Sequence, residues 1–587
     1  MNTNENCESW KARVAPFMCW IGELKKPETL RADLIAGITV ALVLVPQSMA
    51  YAQLAGLPPY YGLYASFLPG IIAAIFGSSR QLATGPVAVV SLMTASALEP
   101  IAGASPELYI AYAIMLAFMV GVFQMALGLL RLGVLVNFLS HPVVIGFTNA
   151  AAIIIGTSQL GKLFGVSVEK AEHTYETVYN TIVEAFHSTH METMMMAILA
   201  LGIMIVLKRW LPRIPNVLTA VAVTTLISWW IGFEEMGGRV VGVVPDGLPP
   251  MALPTFDFDT MVKLGGVAIA ISIIGLMEAI SIAKAMAART RQRLDANQEL
   301  VGQGLGNIFS SLSSGYAVSG SFSRSAVNIN AGAVTGFSAV VTGLVVGITL
   351  LFLTPLLYHL PQATLAAVII MAVINLVKIE PIKYAWRVQK HDGAVAIITF
   401  AMTLLWAPHL EEGIMVGVML SLLLYLYRTM KPRVAALSRA PDGTLRDADI
   451  HKLETCRNIT LIRFDGSLYF ANTGYFEDKV LERAALKPDL KYVIIDAEGI
   501  NEIDATGEEM LHHLAERLGE TGVELLIARA KKQVWDVLRR TGFIDKIGEE
   551  HMFALRTQAF NYAWDKLGDN HAETCPLRLA PAKPAEA

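Results

Sequence analysis

The chain has 587 residues, of which 54% are hydrophobic and 16% charged, with a formal net charge of −4. That balance excludes an ordinary soluble enzyme of this length and points to a polytopic α-helical membrane protein. Cys7, Cys19, Cys456 and Cys575 are scattered without a CxxC pair, so they read as isolated thiols in a reducing compartment, with no metal site, disulfide framework or other cofactor.

Residues 1–30 carry Lys11, Arg13, Lys25 and Lys26 ahead of any apolar run and show no cleavage site, so they are expected to stay cytoplasmic. Apolar segments follow at Leu34–Ala52, Tyr60–Phe76, Leu108–Leu130, Phe138–Leu160, Met194–Leu207, Val217–Ile231, Leu264–Ala287, Phe337–Tyr358, Thr364–Leu376, Val395–Trp406 and Gly413–Tyr427. Three more are short or broken: Pro86–Leu98 after Thr84-Gly85, Leu300–Leu312 with Gly302, Gly304 and Gly306, and Phe322–Ala333 after Ser319-Gly320. The glycines of the second lack a preceding strand and a following Lys-Ser/Thr, so they serve close helix packing rather than phosphate binding. Counting all segments gives about 14 crossings. Lys and Arg then concentrate on one set of loops (Arg80, Arg131, Arg209, Arg291, Lys383 and Arg387 among them), which places both termini in the cytoplasm of an inner (plasma) membrane.

Thr84-Gly85-Pro86 and Ser319-Gly320-Ser321 each lead from irregular backbone into a half-length helix, two spans after a helix with a polar residue near its middle, Gln47 and Glu278 respectively. Paired broken helices at corresponding places of two halves mark a midplane site in a repeat, and seven spans per half make that repeat inverted. A helix start inside a membrane exposes free N–H groups and partial positive charge, which suits an anion. Arg324 adds a permanent charge there, and an intramembrane charge at a cost of about 2.5–3.5 kcal/mol needs such a reason. Glu278 neutralises Arg324 when ionised and releases it when protonated, so proton and anion occupancy rise together. His187 and His190 form an HxxH that reads as solvated loop.

Ala32-Asp33-Leu34-Ile35-Ala36-Gly37, Val45-Pro46-Gln47-Ser48-Met49-Ala50-Tyr51-Ala52, Pro58-Pro59-Tyr60-Tyr61-Gly62, Thr84-Gly85-Pro86, Glu299-Leu300-Val301-Gly302-Gln303-Gly304 and Ser321-Phe322-Ser323-Arg324-Ser325 resemble the signature of the SulP sulfate permease family. The resemblance implies a fourteen-span, seven-plus-seven inverted repeat with core and gate domains, an elevator-like movement and a homodimer. It implies an anion site of Gln47, Tyr51, Val87, Ala88, Phe322, Ser323 and Arg324, with Glu278 as the proton-coupling residue. Sodium-coupled bicarbonate members resemble instead an Asp at the glutamate position followed one turn later by a hydroxyl. Here that place holds Ile282, which moves the expectation from sodium to protons.

Behind the membrane domain, residues 31–430, the sequence reads as a linker at 431–457, an α/β domain at 458–567 and a disordered tail at 568–587. Ile459–Phe464 and Tyr492–Asp496 read as strands, Gly507–Leu518 and Lys532–Arg540 as helices. The domain resembles a STAS domain, and Asp504-Ala505-Thr506-Gly507 resembles its phosphoacceptor loop, which would make Thr506 a regulatory phosphorylation site facing a cytoplasmic regulator. A Thr506 that caps the following helix is the alternative. The whole reads as a proton-coupled sulfate transporter, not an enzyme. Bicarbonate or C4-dicarboxylate transport with protons or sodium, and an anion sensor that does not transport, are the alternatives. Membrane lipid is an expected partner and nucleic acid is not.

Overall fold

Each apolar segment predicted from the sequence overlaps a helix of the computed structural model. The structure describes residues 15–568 and 571–578, apart from 103–104, 134–139, 169–170, 172, 212–213 and 375. Residues 1–14 of the expected leader, Cys7 among them, and the tail from 579 lie outside the described residues. The chain divides into two compact units, 1–421 and 422–587.

In the first unit the main elements are α1 (Pro27–Leu54), α2 (Tyr60–Phe76), β1 (Ala83–Gly85), α3 (Ala88–Ala102), α4 (Pro106–Leu129), α5 (His141–Ser158), α6 (Met191–Trp210) and α7 (Asn216–Ile231). They continue as α8 (Phe258–Thr290), α9 (Ala296–Leu312), β2 (Ser319–Ser321), α10 (Phe322–Asn330), α11 (Phe337–Ile348), α12 (Gln362–Val373), α13 (Lys390–Leu405) and α14 (Leu410–Met430). Among the described residues, seven helices are long and apolar enough to cross a membrane, and α2, α3, α7 and α12 are shorter apolar helices. Their starts follow local chemistry. Pro27 and Pro106 occupy first-turn positions where a missing N–H costs nothing, and Asp295 caps α9 by accepting from Asn297 N at 2.9 Å and Gln298 N at 3.2 Å.

Glycines set which helices lock together. A Cβ on Gly304 of α9 would stand 2.5 Å from Met125 N of α4, and one on Gly146 of α5 would stand 2.3 Å from Ala396 O of α13. Small residues allow such backbone approach where no water drives helices together. The expectation of close packing is met at all three glycines of α9, since a Cβ on Gly302 would stand 2.5 Å from Gly77 Cα and one on Gly306 3.1 Å from Pro69 O. The expected span Phe337–Tyr358 is not one regular helix: α11 ends at Ile348 and the chain continues as a π turn (Thr349–Leu353) and a 3₁₀ turn (Thr354–Leu357). Pro355 lacks the N–H that a continuing α-helix needs. Two amphipathic connecting helices, Thr174–Ser188 and Glu380–Val388, contain no long apolar run and so give no span signal in the sequence.

The second unit holds β3 (Arg433–Arg439), β4 (Leu445–Asp447), β5 (Ile459–Leu468), α15 (Thr473–Ala485), β6 (Tyr492–Asp496), β7 (Ile500–Ile503), α16 (Ala505–Glu520), β8 (Glu524–Ala528), α17 (Lys532–Arg540), β9 (Met552–Phe553) and α18 (Arg556–Leu567). Strand order is β4-β3-β5-β6-β8-β9, with β7 also on β5; β5, β6, β8 and β9 run parallel, while β3 is antiparallel to both neighbours. Two expectations change here. The stretch 431–457 is no linker, because it supplies β3 and β4. The tail is not disordered from 568, because residues 571–578 are described and Cys575 and Leu577 are buried with Phe560 against one face of the sheet. Phe476, Leu511, Leu514, Val534 and Leu538 cover the other face.

Candidate functional site

Backbone polar groups deep in a membrane have no water to turn to and need partners within the protein. For the irregular stretches ahead of the two half-helices, the partners are each other. β1 and β2 pair antiparallel, Ala83 with Ser321, Thr84 with Gly320 and Gly85 with Ser319. The two Ser/Thr-Gly steps that look related in sequence are thus joined directly, in opposite directions. From this bridge α3 begins at Ala88 and α10 at Phe322, so two helix starts share one short β ladder. Val87 carries the carbonyl that begins the α3 ladder, accepting from Ser91 N at 3.0 Å. No side chain caps α10 at Ser321.

The bridge is held from behind. Gln303 Nε2 donates to Thr84 Oγ1 at 2.8 Å, and Asn307 Nδ2 donates to Val318 O at 3.0 Å and to Gln124 Oε1 at 2.9 Å. Val318 N returns a bond to Asn307 Oδ1 at 2.8 Å. Sequence reasoning missed Gln124, Gln303 and Asn307 as supports. The available signal was a pair of amide side chains one turn apart inside an intramembrane helix. On the α8 side, Ser319 Oγ donates to Gly275 O at 2.8 Å. A Cβ on Gly320 would stand 2.9 Å from Leu82 Cδ1 and 3.1 Å from Ala279 Cα. Only glycine lets the bridge lie against α8 next to Glu278.

Glu278 and Phe322 line one cavity of about 230 Å³, together with Val89, Met277, His141 and Leu376 among others. Its wall is shared between α3, α8 and α10 on one hand and α5 and residues near α12 and α14 on the other. Phe322 is 54% exposed, and Ser323 beside it is also exposed. Glu278 Oε2 has no hydrogen-bond partner. Gln47 and Tyr51 lie one turn apart on α1, both buried, and Gln47 Oε1 is likewise without a partner.

Arg324 departs from the expectation. No hydrogen bond or ion pair joins it to Glu278, and all three guanidinium nitrogens lack hydrogen-bond partners although the residue is 1% exposed. Its side chain lines a separate narrow void with Ser66, Thr84, Asn328 and Thr342. A Cβ on Gly85 would lie 3.4 Å from Nη2, so the guanidinium sits against the bridge itself. The two charges still feel each other, and Tyr51 lies within electrostatic reach of both. The direct pairing read from the sequence is therefore replaced by two charges acting on a common region from different cavities. Tyr316, another neighbour of Arg324, shares a 3.0 Å hydroxyl contact with Ser91 Oγ.

The remaining candidates lie elsewhere. His187 ends the helix Thr174–Ser188, while His190 caps α6 by accepting from Thr193 N at 3.3 Å and contacts Met236 O through Nε2 at 3.0 Å. Both sit on helix boundaries rather than in an open loop. In the second unit Asp504, not Thr506, caps α16, accepting from Gly507 N at 2.8 Å and from Phe470 N at 2.9 Å. Thr506 is exposed in the first turn.

Residues 30–399 match the model of the sulfate permease family, and residues 451–559 match the STAS domain. A probable sulfate transporter 4.2 of Arabidopsis thaliana is 39% identical over 565 residues, covering 93% of this chain and 82% of its own length. The chloroplastic sulfate transporter 4.1 of the same plant is 38% identical over 564 residues, covering 93% and 82%. Among solved structures, the inward-facing murine Solute Carrier 26 family member A9 anion transporter superposes with a TM-score of 0.86 at 25% identity, covering 95% of this chain and 96% of that one.

Proposed function

The chain belongs to the sulfate permease family, and on that premise we propose that it is a proton-coupled sulfate transporter whose anion site lies at the shared start of α3 and α10. The observation that carries this is the bridge. Two helix starts joined by one short β ladder meet beside a buried guanidinium that has no hydrogen-bond partner among the described residues.

The anion is held by backbone N–H groups at Val87, Ala88, Phe322 and Ser323, with the Ser323 hydroxyl as a further donor and Gln47 and Tyr51 closing the opposite side. Arg324 does not grip the anion as a fork. It supplies a fixed field through the bridge, and at an effective dielectric of about 20 a unit charge about 7 Å away contributes about 2 kcal/mol. Leaving an arginine buried without partners is costly, and an arriving anion removes that cost.

Glu278 faces the same cavity as Phe322. Ionised, its carboxylate repels a dianion; protonated, it becomes a neutral donor. Anion and proton therefore favour each other's binding, which is the thermodynamic requirement of symport. Ile282, one turn on, presents an apolar side chain to that cavity and offers no oxygen to a sodium ion.

The cavity lies between helices that carry the bridge and helices that do not. Each set has close glycine contacts of its own, at Gly304 and at Gly146, which supports an elevator-like displacement of one set past the other. We place the protein in the plasma membrane with both termini cytoplasmic and working as a homodimer. Thr506, exposed in the first turn of α16 and free of the capping role, is the site where phosphorylation would add charge at a helix start for a cytoplasmic regulator to read.

Counterflow of labelled sulfate in proteoliposomes tests the assignment. Exchange that an imposed inward proton gradient converts into accumulation supports it. Saturable binding without exchange would make the protein a sensor. Stronger competition by bicarbonate or a C4-dicarboxylate than by unlabelled sulfate would reassign the substrate.

A further inference from the structure

Cys456 and Cys575 are 119 positions apart in the chain, yet they are buried in one apolar cluster with Ile459, Tyr492 and Phe560, each 6% exposed. Cys456 precedes β5, and Cys575 follows the short helix His571–Thr574. Two hydrogen bonds bring the C-terminal segment there: Arg439 Nε donates to Leu577 O at 2.8 Å, and His571 Nε2 meets Asn458 Oδ1 at 3.0 Å. A cavity of about 820 Å³ reaches both cysteines and is otherwise polar, with Arg457, Asp489, Lys491 and His571 on its wall. Lys487 anchors the same strand start, donating to Cys456 O at 2.8 Å and to Thr460 Oγ1 at 2.9 Å. Neither thiol is disulfide-bonded, in contrast to Cys19, so the expectation of four isolated thiols fails for three of them in two ways.

We propose that Cys456 and Cys575 are an oxidation site, a dithiol that a hydroperoxide entering this cavity converts to a disulfide, fastening the C-terminal segment to the sheet of the STAS domain. The division of labour follows from the surroundings. The Cys575 thiol beside it, then the Asn458 and Ile459 N–H groups and the Lys487 charge, pull the Cys456 thiol down to about 6 against its burial. The Cys456 sulfur and burial push the Cys575 thiol up. Lys487 Nζ, bonded to Cys456 O at 2.8 Å, sets a cation beside Cys456, so Cys456 is the thiolate that attacks and Cys575 the thiol that resolves.

In the first step the Cys456 thiolate attacks the hydroxyl oxygen of the hydroperoxide, an S–O bond forms, the O–O bond breaks, and the alkoxide or hydroxide leaves as alcohol or water by taking up the proton that Cys456 gave up on ionising. In the second, Cys575 loses its proton and attacks the sulfenic sulfur, the S–S bond forms, the S–O bond breaks, and hydroxide leaves as water with that proton. The two thiols give up two electrons and the hydroperoxide takes them. A reducing dithiol reverses the bridge by exchange.

The test is peptide mapping by mass spectrometry of the full-length protein in detergent, treated with dilute hydrogen peroxide and then alkylated. The expected result is a cross-linked peptide joining Cys456 to Cys575, two hydrogens lighter than the reduced pair and lost on dithiothreitol treatment. Without peroxide, alkylation of Cys456 should exceed that of Cys575 by about tenfold near neutral pH. In C575S, dimedone should trap a sulfenic acid on Cys456. Peroxide that leaves Cys456 unmodified, or oxidises it without joining it to Cys575, overturns the proposal. If C575S does not fold, mapping of the wild-type chain decides alone.

Discussion

Arg324 and Glu278 influence one another electrostatically without touching, each facing a different cavity on either hand of the bridged helix starts. A structural ion pair would have bound them together and left nothing for a substrate. Held apart, in the proposed mechanism Arg324 supplies attraction at all times and Glu278 modulates it. Four consequences can be measured.

Replacing Arg324 separates the two roles a buried charge can have. R324M removes a guanidinium that has no hydrogen-bond partner, so the sulfate-free protein should be as stable as wild type or more stable, by about 1–3 kcal/mol. The same variant should lose sulfate affinity by about 30-fold, the factor that corresponds to about 2 kcal/mol. Thermal unfolding with and without sulfate checks both. A large drop in stability without sulfate would show that Arg324 is a structural ion-pair member instead.

Gly320 tests whether the bridge must lie against α8. G320A adds a Cβ 3.1 Å from Ala279 Cα of the α8 backbone, besides 2.9 Å from Leu82 Cδ1. Backbone cannot yield as a flexible side-chain tip does, so the bridge should shift by a few tenths of an ångström and lose donor geometry. Exchange should fall at least about tenfold, while G202A, within α6 at ordinary helical backbone and with open space around its Cβ, should leave exchange unchanged.

Asp504, rather than Thr506, caps α16, accepting from Gly507 N at 2.8 Å. D504A removes the cap of α16 and should cost about 1 kcal/mol, seen as faster amide exchange in the first turn of that helix in the full-length protein. T506A should leave that exchange unchanged. Equal effects would restore Thr506 as a cap.

Much of this was legible before any coordinates. Tyr60–Phe76 and Tyr492–Asp496 have the predicted bounds, because each is a run of uniform pattern ended by Gly77 or by a change of composition. The two half-helices were legible because glycine steps interrupt apolar sequence only at a cost. The direction of the Arg324 side chain was not, since helical spacing fixes the Cα and leaves a long side chain several cavities to reach. β3 was missed because Arg433–Arg439 carries two alanines at its centre and arginine at both ends, a weak strand signal that only pairing with β5 completes. The meeting of Cys456 and Cys575 is a product of tertiary folding and leaves no trace in spacing.

The central claim is that Glu278 governs when the field of Arg324 is available to an anion. E278Q tests it most directly, in proteoliposomes scored twice, for sulfate counterflow at equal pH and for accumulation driven by an inward proton gradient. Counterflow should persist within a few-fold of wild type, because the amide stands in for the protonated carboxyl, and gradient-driven accumulation should vanish. Accumulation that survives in E278Q would contradict the account and move the coupling to another group.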